Sequence, residues 1–224
     1  MMDWTPLLLS FELAFYSSII LLLLSIPLAA WLASGRAIHK TLIETLVSMP
    51  LVLPPTVIGF YLLLAFGPEG VLGKYISEYF NIQVLFSFEG LVLASVIYSL
   101  PFMVHPILSG LRQLAPELKQ AAYTLGKSPF TTLYRVLLPN IKNAIISGFV
   151  LSFAHTIGEF GIVLMIGGNL SGETRVASIA IYDEVEMMNY DVAHKYALVL
   201  FALCFSILLL SYLLNNAYRK YTSK

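Results

Sequence analysis

The stretch AAYTLGKS, at residues 121–128, has the spacing of a loose phosphate-binding loop, in which Gly-Lys-Ser follows a small residue and four others. Such a loop follows a buried strand and wraps phosphates with glycine backbone N–H groups. Here the preceding residues LAPELKQ favour a helix, residues 121–125 contain no glycine, and Pro129 removes a donor directly after Ser128. The sequence therefore predicts that this chain does not itself bind ATP.

The same segment predicts two short helices instead. Glu117 suits the first turn of one helix, and Gly126 suits a left-handed residue at its end. Ser128 suits an N-cap and Pro129 the first position of a second helix, PFTTLYRVLL, which Pro139 is expected to close. Paired alanines give the first helix a small-residue face, either for a partner or for this chain's own helix ends.

A second chemical pair, His155 and Glu159, lies four residues apart in an otherwise uncharged apolar stretch, a spacing that predicts one shared helical face. An acid at membrane depth costs about 2.5 kcal/mol or more, so the two groups are expected to interact. The pair could be a mutually satisfied packing element, a gating element or a proton relay. Nothing nearby completes a metal site, and Ser152 beside His155 is discounted as a hydrolytic pair because serine is common in packed spans.

Three prolines within six residues interrupt another apolar stretch. Pro50, Pro54 and Pro55 remove backbone donors and free carbonyls, with the hydroxyls of Ser48 and Thr56 close by. A broken helix of this kind suits a translocation path or gate, and we favour that interpretation over a merely bent packing helix. The path or gate is therefore expected to involve these five residues, together with the histidine–glutamate pair.

These residues must be positioned inside a membrane. The chain has 224 residues, of which 58% are hydrophobic and 12% are charged, and its mean hydropathy is +0.81, far more apolar than soluble domains. We expect an all-α polytopic membrane helical bundle of one domain, residues 1–224, with about five spans. The spans are expected at about 13–35, 45–67, 90–110, 143–168 and 196–217, with a cytoplasmic loop at 112–142.

The charge distribution orients the bundle, although the formal net charge is zero. With the N-terminus outside and the C-terminus cytoplasmic, ten of thirteen basic residues fall on the cytoplasmic side: Arg36, Lys40, Arg112, Lys119, Lys127, Arg135, Lys142, Arg219, Lys220 and Lys224. Of the thirteen acids, only Glu44 and Glu117 lie there. The sequence thus predicts a multi-pass protein of the cell inner membrane with a basic inner face and an acidic outer face.

The two longer outer connections carry further patterns. Val71, Leu72, Tyr75, Ile76 and Tyr79 have the spacing of a short amphipathic helix resting on the membrane surface. The stretch YDEVEMMNYD at residues 182–191 is acidic and aromatic. It could be a solvated loop or a docking surface for an external partner, and the sequence leaves both open.

The segment QAAYTLGKSPFTTLYRVLLP resembles the coupling motif of ABC importer permeases, Glu-Ala-Ala, three residues, Gly, nine residues, Ile, one residue and Leu-Pro. Gln120 stands where that family usually has the acid, and Val136 where isoleucine is usual. The resemblance implies a surface that docks into a separate ATPase, which holds the ATP and magnesium, so that this chain binds no cofactor. The implied coupling residues are Glu117, Gln120, Ala121, Ala122, Gly126, Ser128, Pro129, Leu138 and Pro139.

The stretches SMPLVLPPTVIGFYLLLAFG, SLPFMVHPI and SFAHTIGEFGIVLMIGGNLSGETRVASIAIY resemble the permease subunit of molybdate ABC importers. The resemblance implies a homodimer, two cytoplasmic ATPase subunits and an external periplasmic binding protein that delivers molybdate or a related tetrahedral oxyanion. It implies no enzyme activity in this chain and no nucleic acid partner. An acid beside the route would repel a dianion, which favours a structural role for Glu159. The alternative is a proton-coupled carrier using His155 and Glu159, but we find no internal inverted repeat.

Overall fold

The computed structural model describes residues 2–35, 37–80 and 83–222, and every regular element in those ranges is helical. Arg36 and Lys224, which the charge count includes, lie outside the described residues. In chain order the helices are α1 (Thr5–Ala33), α2 (Ile38–Ser48), a 3-10 turn (Met49–Leu51), α3 (Pro55–Phe66), α4 (Val71–Phe80), α5 (Phe88–Gln113), α6 (Pro116–Thr124), α7 (Pro129–Thr132), a π turn (Leu133–Leu137), α8 (Leu138–Asn140), α9 (Lys142–Gly158), α10 (Gly161–Gly167), α11 (Ala177–Glu186) and α12 (Tyr190–Thr222).

The lengths of these helices agree with a membrane bundle. Within the described ranges, three helices are apolar and long enough to cross a bilayer: α1 with 29 residues, α5 with 26, and the first 24 residues of α12. Two bent pairs raise the number to five if each pair is one span. The first joins Ile38–Leu51 to α3 at an angle of 111°, and the second joins Pro129–Asn140 to α9 at 78°.

The structure differs from the sequence expectation at the fourth span. The apolar window at about 143–168 is not one helix, because α9 ends at Gly158 and α10 begins at Gly161. Glu159 is the C-cap of α9 and has extended backbone angles, φ −67° and ψ 135°. The expectation that Glu159 lies on the same helical face as His155 is therefore wrong, although the two side chains remain neighbours.

A three-helix core of α1, α5 and α9 holds the bundle together. Buried leucines, isoleucines and valines of α1 and α5 form its apolar centre, and they contact the start of α9. Small residues let the backbones approach, as is common between helices in membranes. A β-carbon added at Gly148 would lie 3.1 Å from the carbonyl oxygen of Met103, and one at Gly110 would lie 2.9 Å from Cβ of Ala144.

The bundle has two ends with different contacts. At the N-terminal end, defined by the start of α1, Ser10 Oγ accepts the Ala177 N–H at 2.8 Å and Tyr196 donates its hydroxyl to the Asp3 carbonyl. At the loop end, defined by the end of α1 and by α6–α8, Arg112 forms a bidentate pair with Glu44 at 2.8 and 2.7 Å. This pair explains why an acid lies among the basic residues of that end.

The outward surface of the bundle is apolar. Side chains of α12 such as Leu198, Phe201 and Phe205 are 57%, 69% and 56% exposed. α4 likewise exposes Tyr75 and Tyr79, whose rings stack 6.4 Å apart. Contiguous apolar surface of this kind is rare on soluble monomers, so these faces suit lipid or another protein chain.

The close approach of α5 and α9 gives a test of the core. We expect Gly148→Leu to lower the free energy of unfolding by about 1–3 kcal/mol, because the new side chain would push into the backbone of Met103. Gly158→Leu is the matched control, since a β-carbon there would meet nothing within 4 Å. Thermal unfolding of the purified protein in detergent measures the difference. Equal unfolding temperatures for the two variants would contradict this packing.

Candidate functional site

The phosphate-loop-like residues form the connection between two helices. Gly126 has φ +71° and follows the end of α6, while the Lys127 N–H bonds back to the Ala122 carbonyl at 3.0 Å. Ser128 then caps α7 by accepting the Thr131 N–H at 3.2 Å. The segment before this connection is α6, a helix that begins at Pro116. The predicted helix caps are confirmed, and they use backbone groups that a phosphate loop would offer to phosphate.

The second helix of this segment runs further than expected. Pro139 does not close it, because the helix continues through α8 to Asn140 and bends only at Ile141. Directly before Pro139 the chain widens into the π turn Leu133–Leu137. Because proline lacks an N–H and its ring clashes with the preceding turn in an ordinary helix, a widened turn accommodates it. The elbow of 78° therefore lies between this helix and α9.

The expected coupling residues divide between the surface and the interior. Ala122 and Leu138 are buried, at 6% and 9% exposure, and therefore pack within this chain. The others are exposed: Glu117, Gln120, Ala121, Gly126, Ser128, Pro129 and Pro139. The paired alanines thus lie in different surroundings, since Ala121 is at the surface and Ala122 is buried.

The structure adds four residues to this surface that sequence reasoning missed. Tyr123, Leu125, Phe130 and Tyr134 are 42%, 75%, 69% and 46% exposed, and the rings of Phe130 and Tyr134 lie 4.4 Å apart. We call these four residues the coupling patch. Large apolar side chains in a segment otherwise rich in charge were the available signal. An exposed apolar patch rimmed by polar residues is typical of a protein-docking site.

The expected path or gate residues occupy two separate places. Ser48 lies against α5, where its hydroxyl is 3.0 Å from Nε2 of His105 and donates to the Glu44 carbonyl. Pro50 is buried in the 3-10 turn, whereas Pro54 and Thr56 are exposed. The structure therefore separates Ser48 from the start of α3.

The break before α3 and the break between α9 and α10 lie against each other. Pro55 is the first residue of α3, and a β-carbon added at Gly161, the first residue of α10, would lie 2.9 Å from Cβ of Pro55. Further along the same pair of helices, a β-carbon at Gly59 would lie 3.1 Å from the sulfur of Met165. We call the contact of Pro55 with the turn at Glu159, Phe160 and Gly161 the break junction.

Glu159 is buried beside this junction, with only 6% of its surface exposed. Its carboxylate lies 3.6 Å from Nε2 of His155 and accepts the N–H of Ile162 at 3.4 Å. The His155 ring in turn stacks on Phe102 and Tyr98 of α5, with centroid distances of 4.0 and 5.4 Å. The pair thus fastens the break between α9 and α10 to α5. No group of three or more His, Cys, Asp or Glu side chains suited to a metal is found in the described ranges.

Comparison with known protein families gives the decisive match. Residues 25–221 match the family described as the binding-protein-dependent transport system inner membrane component. The chain belongs to this family. It is therefore the permease component of a transport system.

Similar proteins carry the names of molybdenum and sulfate permeases. The chain is 43% identical over 210 residues to the molybdenum transport system permease protein ModB of Azotobacter vinelandii, covering 90% of this chain and 92% of that one. It is 37% identical over 205 residues to the protein of the same name from Haemophilus influenzae, covering 89% of each. It is also 31% identical over 208 residues to a probable sulfate transport system permease protein of Helicosporidium, covering 93% of this chain and 77% of the other.

Solved structures confirm the fold. A chain of the bacterial alginate ABC transporter, crystallised in complex with an alginate pentasaccharide-bound periplasmic protein, has a TM-score of 0.75 at 19% identity, covering 92% of this chain and 76% of that one. An amino acid ABC transporter crystallised with histidines gives a TM-score of 0.62 at 16% identity, with coverage of 95% and 92%. The all-α permease fold expected from the sequence is confirmed. These matches give no support to a proton-coupled carrier using His155 and Glu159.

The burial of Glu159 separates a structural role from a proton relay. We expect Glu159→Gln to keep most of the transport, because the amide oxygen can still accept the Ile162 N–H. Glu159→Leu should lose stability by about 1–3 kcal/mol, since that N–H is left without its acceptor. Uptake of the transported substrate into cells measures the effect of Glu159→Gln, and thermal unfolding of the purified protein measures that of Glu159→Leu. A well-folded glutamine variant without transport would favour the relay instead.

Proposed function

We propose that this chain is the permease subunit of an ATP-driven importer for molybdate, working as a homodimer in the cell inner membrane. The observation that carries the substrate is the 43% identity to the Azotobacter vinelandii molybdenum permease over nearly the whole of both chains. The similarity to a probable sulfate permease makes sulfate, another tetrahedral dianion, the second candidate.

The coupling patch supports an ATPase partner at the loop end. Its four side chains belong to α6, to the residue that follows α6, to α7 and to the π turn, and Glu117 and Gln120 are also exposed on α6. On this proposal two ATPase subunits, one for each copy of the permease, bind to this patch. The ATPase subunits also hold the ATP and magnesium. The N-cap bond of Ser128 keeps the patch in shape, because it fixes the turn between the two helices.

A continuous apolar contact carries movement from the patch into the membrane. Leu138 and Ile141, which flank the elbow, are buried in the same cluster as Leu108 and Leu111 of α5. Close-packed interiors transmit displacement with little compression. Closure of the ATPase pair would therefore move α1, α5 and α9 together. The displacement of these helices relative to α3 and α10 would occur at the break junction.

The N-terminal end supports delivery by an external binding protein. Glu12, Glu89 and Glu173 line one open depression there, and a free dianion approaching three carboxylates would be repelled. A binding protein that encloses the anion removes this repulsion, and basic residues around its binding cleft would complement the acidic rim. The structural similarity to a transporter crystallised with its periplasmic protein is consistent with this arrangement.

A second copy of the chain would complete the translocation path. Pro54 and Thr56 are exposed at the start of α3, and Phe60, Tyr61 and Leu64 continue this exposed face. On this proposal the two copies place their broken spans opposite each other, so that the path is lined where the prolines have freed backbone carbonyls. The break junction would then be the gate of each half.

The ATPase assignment is tested by replacing one side chain of the patch. We expect Phe130→Ser to weaken co-purification of the ATPase from membranes, because Phe130 is 69% exposed and supplies apolar docking area. Tyr190→Ser is the matched control, since Tyr190 is 63% exposed at the opposite end. Both proteins should insert and unfold like wild type. Undiminished ATPase binding by the Phe130 variant would remove the patch from the interface.

The substrate is tested with the purified complex. We expect ATP hydrolysis by the tagged chain and its ATPase, reconstituted in lipid vesicles, to rise when molybdate-loaded binding protein is added. Sulfate-loaded binding protein is the comparison. A larger rise with sulfate would assign the second candidate, and a complex whose hydrolysis responds to neither would contradict the proposed importer.

A further inference from the structure

Helix α11 connects the outer surface of the N-terminal end to the break junction. Its first turn is held inside the bundle, because Ser10 of α1 accepts the Ala177 N–H at 2.8 Å. The next residue, Ser178, donates its hydroxyl to the carbonyl oxygen of Glu159 at 2.5 Å. That carbonyl lies in the turn between α9 and α10, so no N–H of a continuing helix can bond to it. A donor from another element, here Ser178, takes that place.

A ring contact links α11 to the same turn a second time. Tyr182, one turn further along α11, packs against Phe160 with the ring centroids 5.0 Å apart and the planes at 40°. Phe160 is the residue that separates Glu159 from the first residue of α10. Tyr182 is itself 41% exposed. Its ring is therefore accessible at the surface and also contacts the turn between α9 and α10.

The far end of α11 is both fixed and exposed. Asp183 accepts bonds from Arg175 at 2.7 Å and from Asn169 at 2.9 Å, which hold the helix in place. Beyond it, Met187 and Met188 are 64% and 76% exposed, and Met188 has the unusual φ of +59°. Large apolar side chains held outward by a strained backbone are a feature associated with functional surfaces.

The contacts continue from this turn into the second broken span. Gly161, directly after Phe160, lies against Pro55 at the start of α3. A displacement of α11 would therefore reach both interrupted spans through adjoining residues at the end of α9 and the first residues of α10 and α3.

We propose that α11 transmits docking of the external binding protein to the break junction, with Ser178 and Tyr182 as the positioning residues. This inference rests on the proposed function as a binding-protein-dependent importer. Docking on the exposed tip of α11 would shift Tyr182 and Ser178, and through them the turn at Glu159 and Phe160. The partner would thereby favour opening of the path only while it is seated and ready to release the anion.

The test separates docking from transmission in the reconstituted complex. ATP hydrolysis is measured against the concentration of molybdate-loaded binding protein for wild type, Tyr182→Leu and Ser178→Ala. We expect the stimulation at saturation to fall by roughly fivefold or more in each variant, the scale of a typical allosteric coupling. The half-maximal concentration should stay near that of wild type, because neither change removes the exposed tip. The conservative variants Tyr182→Phe and Ser178→Thr should restore stimulation, since they keep the ring and the hydroxyl.

Two further variants complete the design. Tyr79→Leu is the control, because Tyr79 is an exposed tyrosine of α4 that stacks on Tyr75 and not on the junction. Phe160→Leu should reduce stimulation as Tyr182→Leu does, and the double variant should be no worse than either single variant, because both remove one shared contact. Fully additive losses would overturn the direct link.

The outcomes also distinguish the inference from the proposed function. If wild type is not stimulated by the loaded binding protein, the importer proposal itself fails. If wild type is stimulated and Tyr182→Leu and Ser178→Ala behave like it, only the role of α11 is overturned. A change in half-maximal concentration with full stimulation at saturation would make Tyr182 a docking contact and likewise overturn transmission.

Discussion

Backbone groups that have lost their helical partners govern the arrangement of this bundle. In hydrocarbon, an unpaired N–H or C=O costs several kilocalories per mole, so a broken span survives only where the protein supplies other partners. At the first interruption, the N–H groups of Val52 and Leu53 both bond to the Met49 carbonyl, at 3.0 and 2.9 Å. At the second, Ser178 bonds to the Glu159 carbonyl and the Glu159 side chain accepts a backbone N–H. The two interruptions lie against each other at Pro55 and Gly161, and α11 covers the second one.

This requirement divides the permease into two mechanical parts. The core consists of the helices α1, α5 and α9, packed through glycines and apolar side chains, and Ile141 at the elbow before α9 is buried with them. The half-helices α3 and α10 contact α5. In the chain α10 follows α9 across a non-helical turn, whereas α2 and the 3-10 turn separate α3 from α1. On the proposed function, an ATPase acts on the first part and a binding protein on the second. The break junction is then the place where the two parts can move relative to each other.

Local signals in the sequence were sufficient for the coupling segment and insufficient for the breaks. Gly126 and Ser128 fix the turn by their own backbone preferences, so their positions could be predicted without knowledge of the fold. The interruption at Glu159 could not be located in this way, because a single acid in an apolar window also suits a continuous helix. Its extended backbone depends on Ser178, nineteen residues away. The pairing of Phe160 with Tyr182 is likewise a tertiary contact, and the stretch containing Tyr182 left a loop and a docking surface equally open.

On the proposed function, the polarised charge of the chain favours a transmitting element. The basic loop end attracts an anion, whereas the carboxylates of the N-terminal end repel it before it reaches the path. With the acidic end outside, as proposed, a permanently open path would admit little molybdate and would allow cytoplasmic anions to leave. Efficient import requires the path to open outward only when a partner neutralises the acidic rim and holds the substrate over it. That condition can be met if the docking surface for the partner is in contact with the gate. Helix α11 provides this contact, through the Ser178 hydroxyl on the Glu159 carbonyl and the Tyr182 ring on Phe160.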